Sequence, residues 1–284
     1  MENQYDLAVA YRIYPKVSKI PPIFADDKFK LSELCLISFK KALGHLKIKL
    51  FVLLDNCPNP YIDLFKKYFK EDELEIIRLP GIGNAGTFKK QIDILLNQDY
   101  SEYIYFAEDD YFYLDNAFPE MLNFLKSYNR VDFISPYYHP DYDSINIHKD
   151  FKSEHITFSD KQWQTMASTT MTFLTTKSKL TETKSVFETY LKKNFDASIW
   201  LSLTKHKVNN PLNLFKYFFE SYLWFKIIMK SLIFSLNQIM NGKKYHLFVP
   251  VETLSTHMDI KCLPYGIDWI KYFKETIEKN NFGS

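Results

Sequence analysis

The stretch Tyr103–Phe118, YIYFAEDDYFYLDNAF, decides how the rest of the chain is read. An apolar run, Tyr103-Ile104-Tyr105-Phe106-Ala107, reads as a buried strand, and it ends in three adjacent carboxylates, Glu108, Asp109 and Asp110. Like charges that close repel unless water or a cation relieves them. A carboxylate-rich loop is common on protein surfaces, and Asp109-Asp110 alone says little. Their place at a strand end says more, because hard carboxylate oxygens there suit Mg²⁺ or Mn²⁺ while phosphate oxygens fill the remaining positions.

Working outward, the first half alternates strand-like and helix-like segments, the pattern of a largely parallel sheet with helices on its faces. Strands are expected at Asp6–Tyr11, Ile48–Leu54, Glu73–Leu79 and Tyr103–Ala107, and helices at Leu31–Leu43, Tyr61–Phe69 and Thr87–Asn97, the last with Thr87 as N-cap. Further on, the pattern predicts strands at Val131–Ile134, Thr170–Thr176 and His246–Val251, with a polar aromatic loop up to about Gln164. Helices are expected from Ser178 to Lys193, from Asp196 to Lys205, over 211–241, and from Ile267 to Lys279. No repeat, low-complexity tract or linker interrupts the chain, so a single domain over 1–284 is expected, with a binding half at 1–136 and a second half at 137–284.

The 284 residues, 46% hydrophobic and 17% aromatic, supply a real core. Lys and Arg total 36 against 34 Asp and Glu, a net charge of +2, so no whole-chain field points to nucleic acid. Three scattered cysteines, Cys35, Cys57 and Cys262, form neither a disulfide framework nor a CxxC site. The first residues, MENQYDLAVAYRIYP, carry Glu2, Asp6 and Arg12 and lack the layout of a signal peptide, so a cytoplasmic location is expected.

Two further elements flank the acidic triplet. Gly81-Ile82-Gly83-Asn84-Ala85-Gly86-Thr87-Phe88-Lys89-Lys90 holds three of the chain's seven glycines, which suits a tight turn or close approach of a ligand before a helix. It is neither a Walker A sequence nor a GxGxxG, and a plain strand-to-helix turn explains it as well. Asp55, closing the second strand, either meets a nucleobase edge or caps its own turn.

Taken in order, a short first strand, Asp55 at the next strand end, the glycine turn, and the strand running into the acidic triplet resemble the nucleotide-sugar-binding half of GT-A fold glycosyltransferases, especially the family 2 type. The resemblance covers roughly Tyr5 to Pro136 and the remainder more loosely. It implies an α/β, Rossmann-like, mixed and mainly parallel central sheet flanked by helices, and a metal-dependent, inverting transfer of a sugar from a nucleoside diphosphate sugar, a UDP-sugar above all, to a glycan or lipid-linked glycan hydroxyl. Glu108-Asp109-Asp110 would be a Glu-x-Asp variant of the family's Asp-x-Asp motif, with Asp110 and Glu108 on Mn²⁺ or Mg²⁺ and Asp109 turned toward the sugar or the protein's own backbone. Asp55 would read the base, Tyr11 and Arg12 would line the nucleotide pocket, and Asn84, Gly86, Lys89 and Lys90 would flank ribose and phosphates. Asp196, opening a helix, would be the base that deprotonates the acceptor, where a plain N-cap is the alternative. His257 would return to the metal, in competition with His246, Glu252 and Asp259. Trp163 would either stack on a sugar or pack in the core. A nucleotidyltransferase is the near rival, and a non-catalytic membrane- or partner-binding protein the distant one.

The segment 211–241 is rich in Phe, Leu and Ile, but Lys216, Glu220, Lys226 and Lys230 interrupt any run long enough to cross a bilayer. At ~100° per residue those charges fall within an arc of ~120°, predicting one amphipathic helix that lies on the inner face of a membrane or packs on protein, including a second copy.

Overall fold

The computed structural model describes residues 5–17, 19–210 and 212–280. The first half runs β1 (Leu7–Ile13), α1 (Lys28–Ala42), β2 (Ile48–Asp55), α2 (Pro60–Tyr68), β3 (Leu74–Leu79), α3 (Gly83–Asn97), β4 (Tyr103–Glu108), β5 (Tyr111–Tyr113) and α4 (Ala117–Ser127). It continues through β6 (Phe133–Ile134), the short helices α5 (Asp141–Ser144) and α6 (Asn146–Lys149), the hairpin β7 (His155–Phe158) and β8 (Lys161–Met166), and β9 (Phe173–Thr176). Then come α7 (Lys177–Phe187), a 3-10 turn (Glu188–Lys192), α8 (Asp196–Thr204), α9 (Leu212–Glu220), α10 (Tyr222–Asn241), β10 (Leu247–Pro250), β11 (Ser255–His257) and α11 (Trp269–Lys279).

Nine strands form one mixed sheet in the order β3-β2-β1-β4-β9-β6-β10-β8-β7, so strands from both halves of the chain share it. The pairings run β9 and β8 against the direction of the others. The expected α/β sheet, mixed and mainly parallel in direction with flanking helices, is what the chain forms. β1 and β2 are buried along their whole length, as parallel strands covered on both faces must be. One core layer, built from Tyr11, Phe39, Phe65 and Phe118, lies on one side of the sheet. The other, built from Phe88, Phe106, Phe173 and Trp200, lies opposite.

A second, two-stranded sheet pairs β5 with β11 antiparallel, Tyr111 opposite His257. This small ribbon carries the C-terminal loop back to the acidic triplet.

Four expectations change. Helix α3 begins at Gly83, not Thr87, whose hydroxyl instead donates to the Gly83 and Asn84 carbonyls at 3.1 and 3.0 Å. The expected loop before Gln164 contains the β7–β8 hairpin, turned by Ser159 in the left-handed region (φ 52°). Trp163 is fully buried and stacks on Phe124 with centroids 4.5 Å apart, so it packs the core rather than facing a sugar. The segment expected as one helix over 211–241 is two. Ser221, extended at φ −160°, ends α9 and caps α10 by accepting from Trp224 N, and Ser235 puts a kink in α10. A single continuous charged stripe therefore does not form.

Helices α9 and α10 bury Tyr217, Ile227, Ile228 and Ile239 against Ile147, Ala167, Leu201 and Val208. Their outer side leaves Phe215, Phe219, Leu223, Ile233 and Met240 mostly exposed. No helix among the described residues is long and apolar enough to cross a membrane.

Candidate active site

The carboxyl ends of β1, β2 and β4 open on a cleft of about 630 Å³ lined by Arg12, Tyr14, Asp55, Asn84, Glu108 and Asp110, among others. In open α/β sheets this is the end at which ligands bind.

Strand register builds its walls. Asp55 sits opposite Leu79, so the turn that follows β3 passes directly over its side chain. Oδ1 of Asp55 accepts from Gly81 N and Ile82 N at 2.9 and 2.7 Å, and Oδ2 from Gly83 N at 2.8 Å. Gly81 and Gly83 have φ of 95° and 72°, a region that favours glycine. The work of Asp55 is therefore to order the glycine turn, the local-capping alternative of the sequence. The start of α3 hangs from that turn, and Asn84 with it.

Arg12 and Glu108 are register neighbours on β1 and β4. The Arg12 guanidinium pairs with Glu108 Oε1 and also donates to Asn84, reaching its carbonyl at 3.0 Å and its side-chain oxygen. Thr172 donates to the second Glu108 oxygen at 2.8 Å, so both oxygens of the expected metal ligand are engaged by protein. Phe88 lies under the guanidinium, 5.7 Å from ring centroid to Cζ.

Asp109 turns the other way. Lys28, at the start of α1, lies 2.8 Å from Asp109 Oδ2, and Tyr14 N donates to the same oxygen at 3.3 Å. Burial raises the Asp109 carboxyl, while Lys28 works against that rise.

Asp110 faces His257, with Oδ2 3.2 Å from Nε2, and Met258 N donates to the Asp110 carbonyl at 2.7 Å. Burial opposes the charge on Asp110, but the His257 charge and hydrogen bond, with Lys28 and Arg12 behind, outweigh it and hold the carboxyl well below its usual range. Burial likewise opposes protonation of His257, and Asp110 overcomes it, lifting the imidazole to about 10. Each member of the acidic triplet thus has its own cation: Arg12, Lys28 and His257. The remaining oxygen, Asp110 Oδ1, is buried with no hydrogen-bond partner among the described residues. A buried carboxylate oxygen left unpaired beside an imidazole is the donor set that a divalent ion completes.

Asp196 opens α8 and accepts from its neighbour's amide, Ala197 N, at 2.7 Å. It is solvent-exposed yet ringed by protein, which raises its carboxyl, and the charge of Glu108 adds to the rise. Tyr190 links it to the cleft: its hydroxyl accepts from Asn84 Nδ2 at 2.9 Å, and burial raises the phenol while the nearby Arg12 lowers it and Asp196 raises it.

The other candidates scatter. Lys89 is tied to Asp93 and lies 3.5 Å from Glu188, and Lys90 is exposed on α3. Gly86 faces Ile82, where an added Cβ would meet the Ile82 side chain at 3.0 Å. Tyr11 is buried in the core against Phe39 and Phe65 and lines no part of the cleft. His246 pairs with Asp132, at the far end of the sheet from the cleft.

Lys28, Thr172 and Tyr190 were not legible as site residues. Each arrives by tertiary packing from an ordinary-looking segment, and none carries a motif. Behind His257 stands a further group: the Cys262 thiol is drawn down to about 7 by hydrogen bonds with His139 and His257.

No protein-family model and no curated protein matches the chain. Solved structures resemble it loosely. The galactosyltransferase LgtC in complex with donor and acceptor sugar analogues is 10% identical, with 98% of this chain and 96% of that one covered and a TM-score of 0.47. Residues 1–349 of S. aureus TarS in complex with UDP-GlcNAc are 12% identical over 63% of this chain, with a TM-score of 0.43, and the chain spans about half, 47%, of that structure. The 4-diphosphocytidyl-2C-methyl-D-erythritol synthase of Anaerococcus prevotii DSM 20548 is 12% identical, with 71% and 84% covered and a TM-score of 0.41. Likeness at this level leaves the roles of individual residues to the geometry of the chain itself.

Proposed function

We propose that the protein is a glycosyltransferase that takes a sugar from a nucleoside diphosphate sugar, a UDP-sugar in the first instance, and passes it to a hydroxyl of a glycan or lipid-linked glycan. The observation that carries this reading is the unpartnered Asp110 Oδ1 beside His257, at the mouth of a cleft whose other wall is an ordered glycine turn at a helix start. With its three amides held by Asp55, that turn fixes the wall and the start of α3 in place rather than giving those N–H groups to a phosphate. Asp110 and His257 would hold Mn²⁺ or Mg²⁺, and the ion would neutralise the charge that develops on the departing diphosphate.

The chain's own groups account for the rest. Arg12, fixed between Glu108 and Asn84, neutralises Glu108 at the floor of the cleft and is not free to follow the substrate. Lys28 leaves Asp109 compensated, so the triplet carries little net charge to repel a diphosphate. Asp196, raised above an ordinary carboxyl yet reachable by solvent, would take the proton of an acceptor hydroxyl as general base.

A nucleotidyltransferase would use the same kind of cleft but attack at the α-phosphate. Product analysis separates the two. With a UDP-sugar panel and Mn²⁺, UDP and free or transferred sugar are expected, whereas UMP with sugar 1-phosphate, or pyrophosphate released from UTP and a sugar phosphate, would sink the reading in favour of the rival.

A further inference from the structure

We infer that the loop from His257 to Cys262 is a zinc-class metal site, distinct from the hard-ion role of Asp110. The ligand atoms of His257, Asp259 and Cys262 all lie within 4.8 Å of one another. Zinc bonds of ~2.0–2.3 Å set tetrahedral ligand edges of about 3.5 Å, so a small inward movement of the three side chains closes the site. A nitrogen, a carboxylate oxygen and a thiolate sulfur form a borderline-soft set that favours zinc over manganese or magnesium.

The loop is built to bring these side chains together. Asp259 N donates to the His257 carbonyl and Cys262 N to the Asp259 carbonyl, both at 2.8 Å. Lys261 N donates to Asp259 Oδ1 at 3.1 Å, which orients the carboxylate and leaves Oδ2 for an ion. The ring of His257 is already fixed from behind, because Nε2 is held by Asp110 at 3.2 Å. With that nitrogen engaged, Nδ1 is left for the metal, and Asp110–His257–metal becomes the carboxylate–histidine–metal arrangement that orients a ligating imidazole. His139, hydrogen-bonded to the Cys262 thiol, stands beside the trio as its neighbour from the loop after β6.

On binding, the ion takes the place of protons: the Cys262 thiol and the His257 imidazolium each release one to solvent, and no oxidant or reductant is involved. The remaining Nε2–H of His257 stays with Asp110. One ring cannot give both nitrogens to two ions and keep that proton, so zinc in this loop and a hard ion on His257 are alternative occupancies, and with zinc bound the hard ion of the proposed function keeps Asp110 as its protein ligand.

The inference does not depend on the glycosyl-transfer reading, and neither does its test. The full chain, stripped with chelator, is titrated with Zn²⁺ against a chromogenic competitor and with Co²⁺ followed by absorption. One equivalent should bind, with the near-ultraviolet thiolate-to-cobalt band of a cysteine ligand. C262S should abolish that band, and D259N should weaken Zn²⁺ binding roughly tenfold or more, while C35S and C57S, which replace cysteines outside the trio, leave it unchanged. Should C262S fail to fold, D259N and the wild-type cobalt spectrum still decide. A wild-type protein with no thiolate band, or a band that survives C262S, would overturn the assignment.

Discussion

Oδ2 of Asp110 lies 3.2 Å from Nε2 of His257, a residue 147 positions later in the chain. The contact follows from the β5–β11 ribbon, whose register sets Tyr111 opposite His257 and so delivers each neighbour to the other. It joins the strand end of the first half to the last loop of the second, and it leaves one Asp110 oxygen, Oδ1, unpaired among the described residues.

The pair makes stability depend on pH with a definite sign. Asp110 raises His257 from 6.5 to about 10, so the stabilisation it gives is fully present below 6.5 and is lost as pH rises toward 10. The lowered Asp110 carboxyl contributes above its ordinary 3.8 and loses that contribution as pH falls below it. In metal-free protein the His257 ring proton signals should remain in the charged form through pH 8. In D110N they should titrate near the ordinary histidine value, and an unchanged titration would show that the carboxylate is not the cause.

Arg12 compensates a half-buried Glu108. Replacing it by Met leaves that carboxylate without its cation, a change that costs about 3–5 kcal/mol when an ion pair is buried. Urea denaturation of R12M, E108Q and the double variant should show strong coupling, with the double variant more stable than the sum of the single effects predicts. Additive losses would mean that the pair is not a unit.

The glycine turn rests on Asp55. D55A leaves three amides without their acceptor and should cost about 2–3 kcal/mol, and G83A, at φ 72°, about 1–2 kcal/mol. Thermal unfolding reads both. A cost below about 0.5 kcal/mol for D55A would place the order of the turn elsewhere.

The outer face of α9 and α10 is not core. Phe219 is 82% exposed, so F219S should shift stability by no more than about 0.5 kcal/mol. Ile228 is buried, and I228A should cost about 2–4 kcal/mol. Of the two roles the segment's pattern allows, membrane contact or packing on protein, membrane contact requires that F219S also lower binding to anionic vesicles. Equal retention of both proteins on vesicles would leave the face without that role.

Much of the frame was legible from residue pattern, and the reasons are local. The alternation of strand and helix in the first half follows from hydrophobic periodicity, and β2, α2 and β4 fall within about a residue of where the pattern puts them. Asp55 at the end of β2 and the acidic triplet at the end of β4 could be found because strand ends are marked by the loss of apolar residues. What the triplet pairs with could not be found, because Arg12 meets Glu108 through register and Lys28 meets Asp109 through helix packing. Neither is written in spacing. The break at Ser221 was missed for a similar reason: the periodicity continues across it, and only the serine's own capping bond separates the two helices.

Calorimetric binding of UDP to wild-type and D110N protein, with Mn²⁺ and again with chelator, after a folding check by circular dichroism, tests the metal role of Asp110. Wild-type binding should need the metal, and D110N should weaken it roughly tenfold or more. Binding that is equally tight in chelator and in D110N would contradict the central claim that Asp110 anchors a metal and a diphosphate.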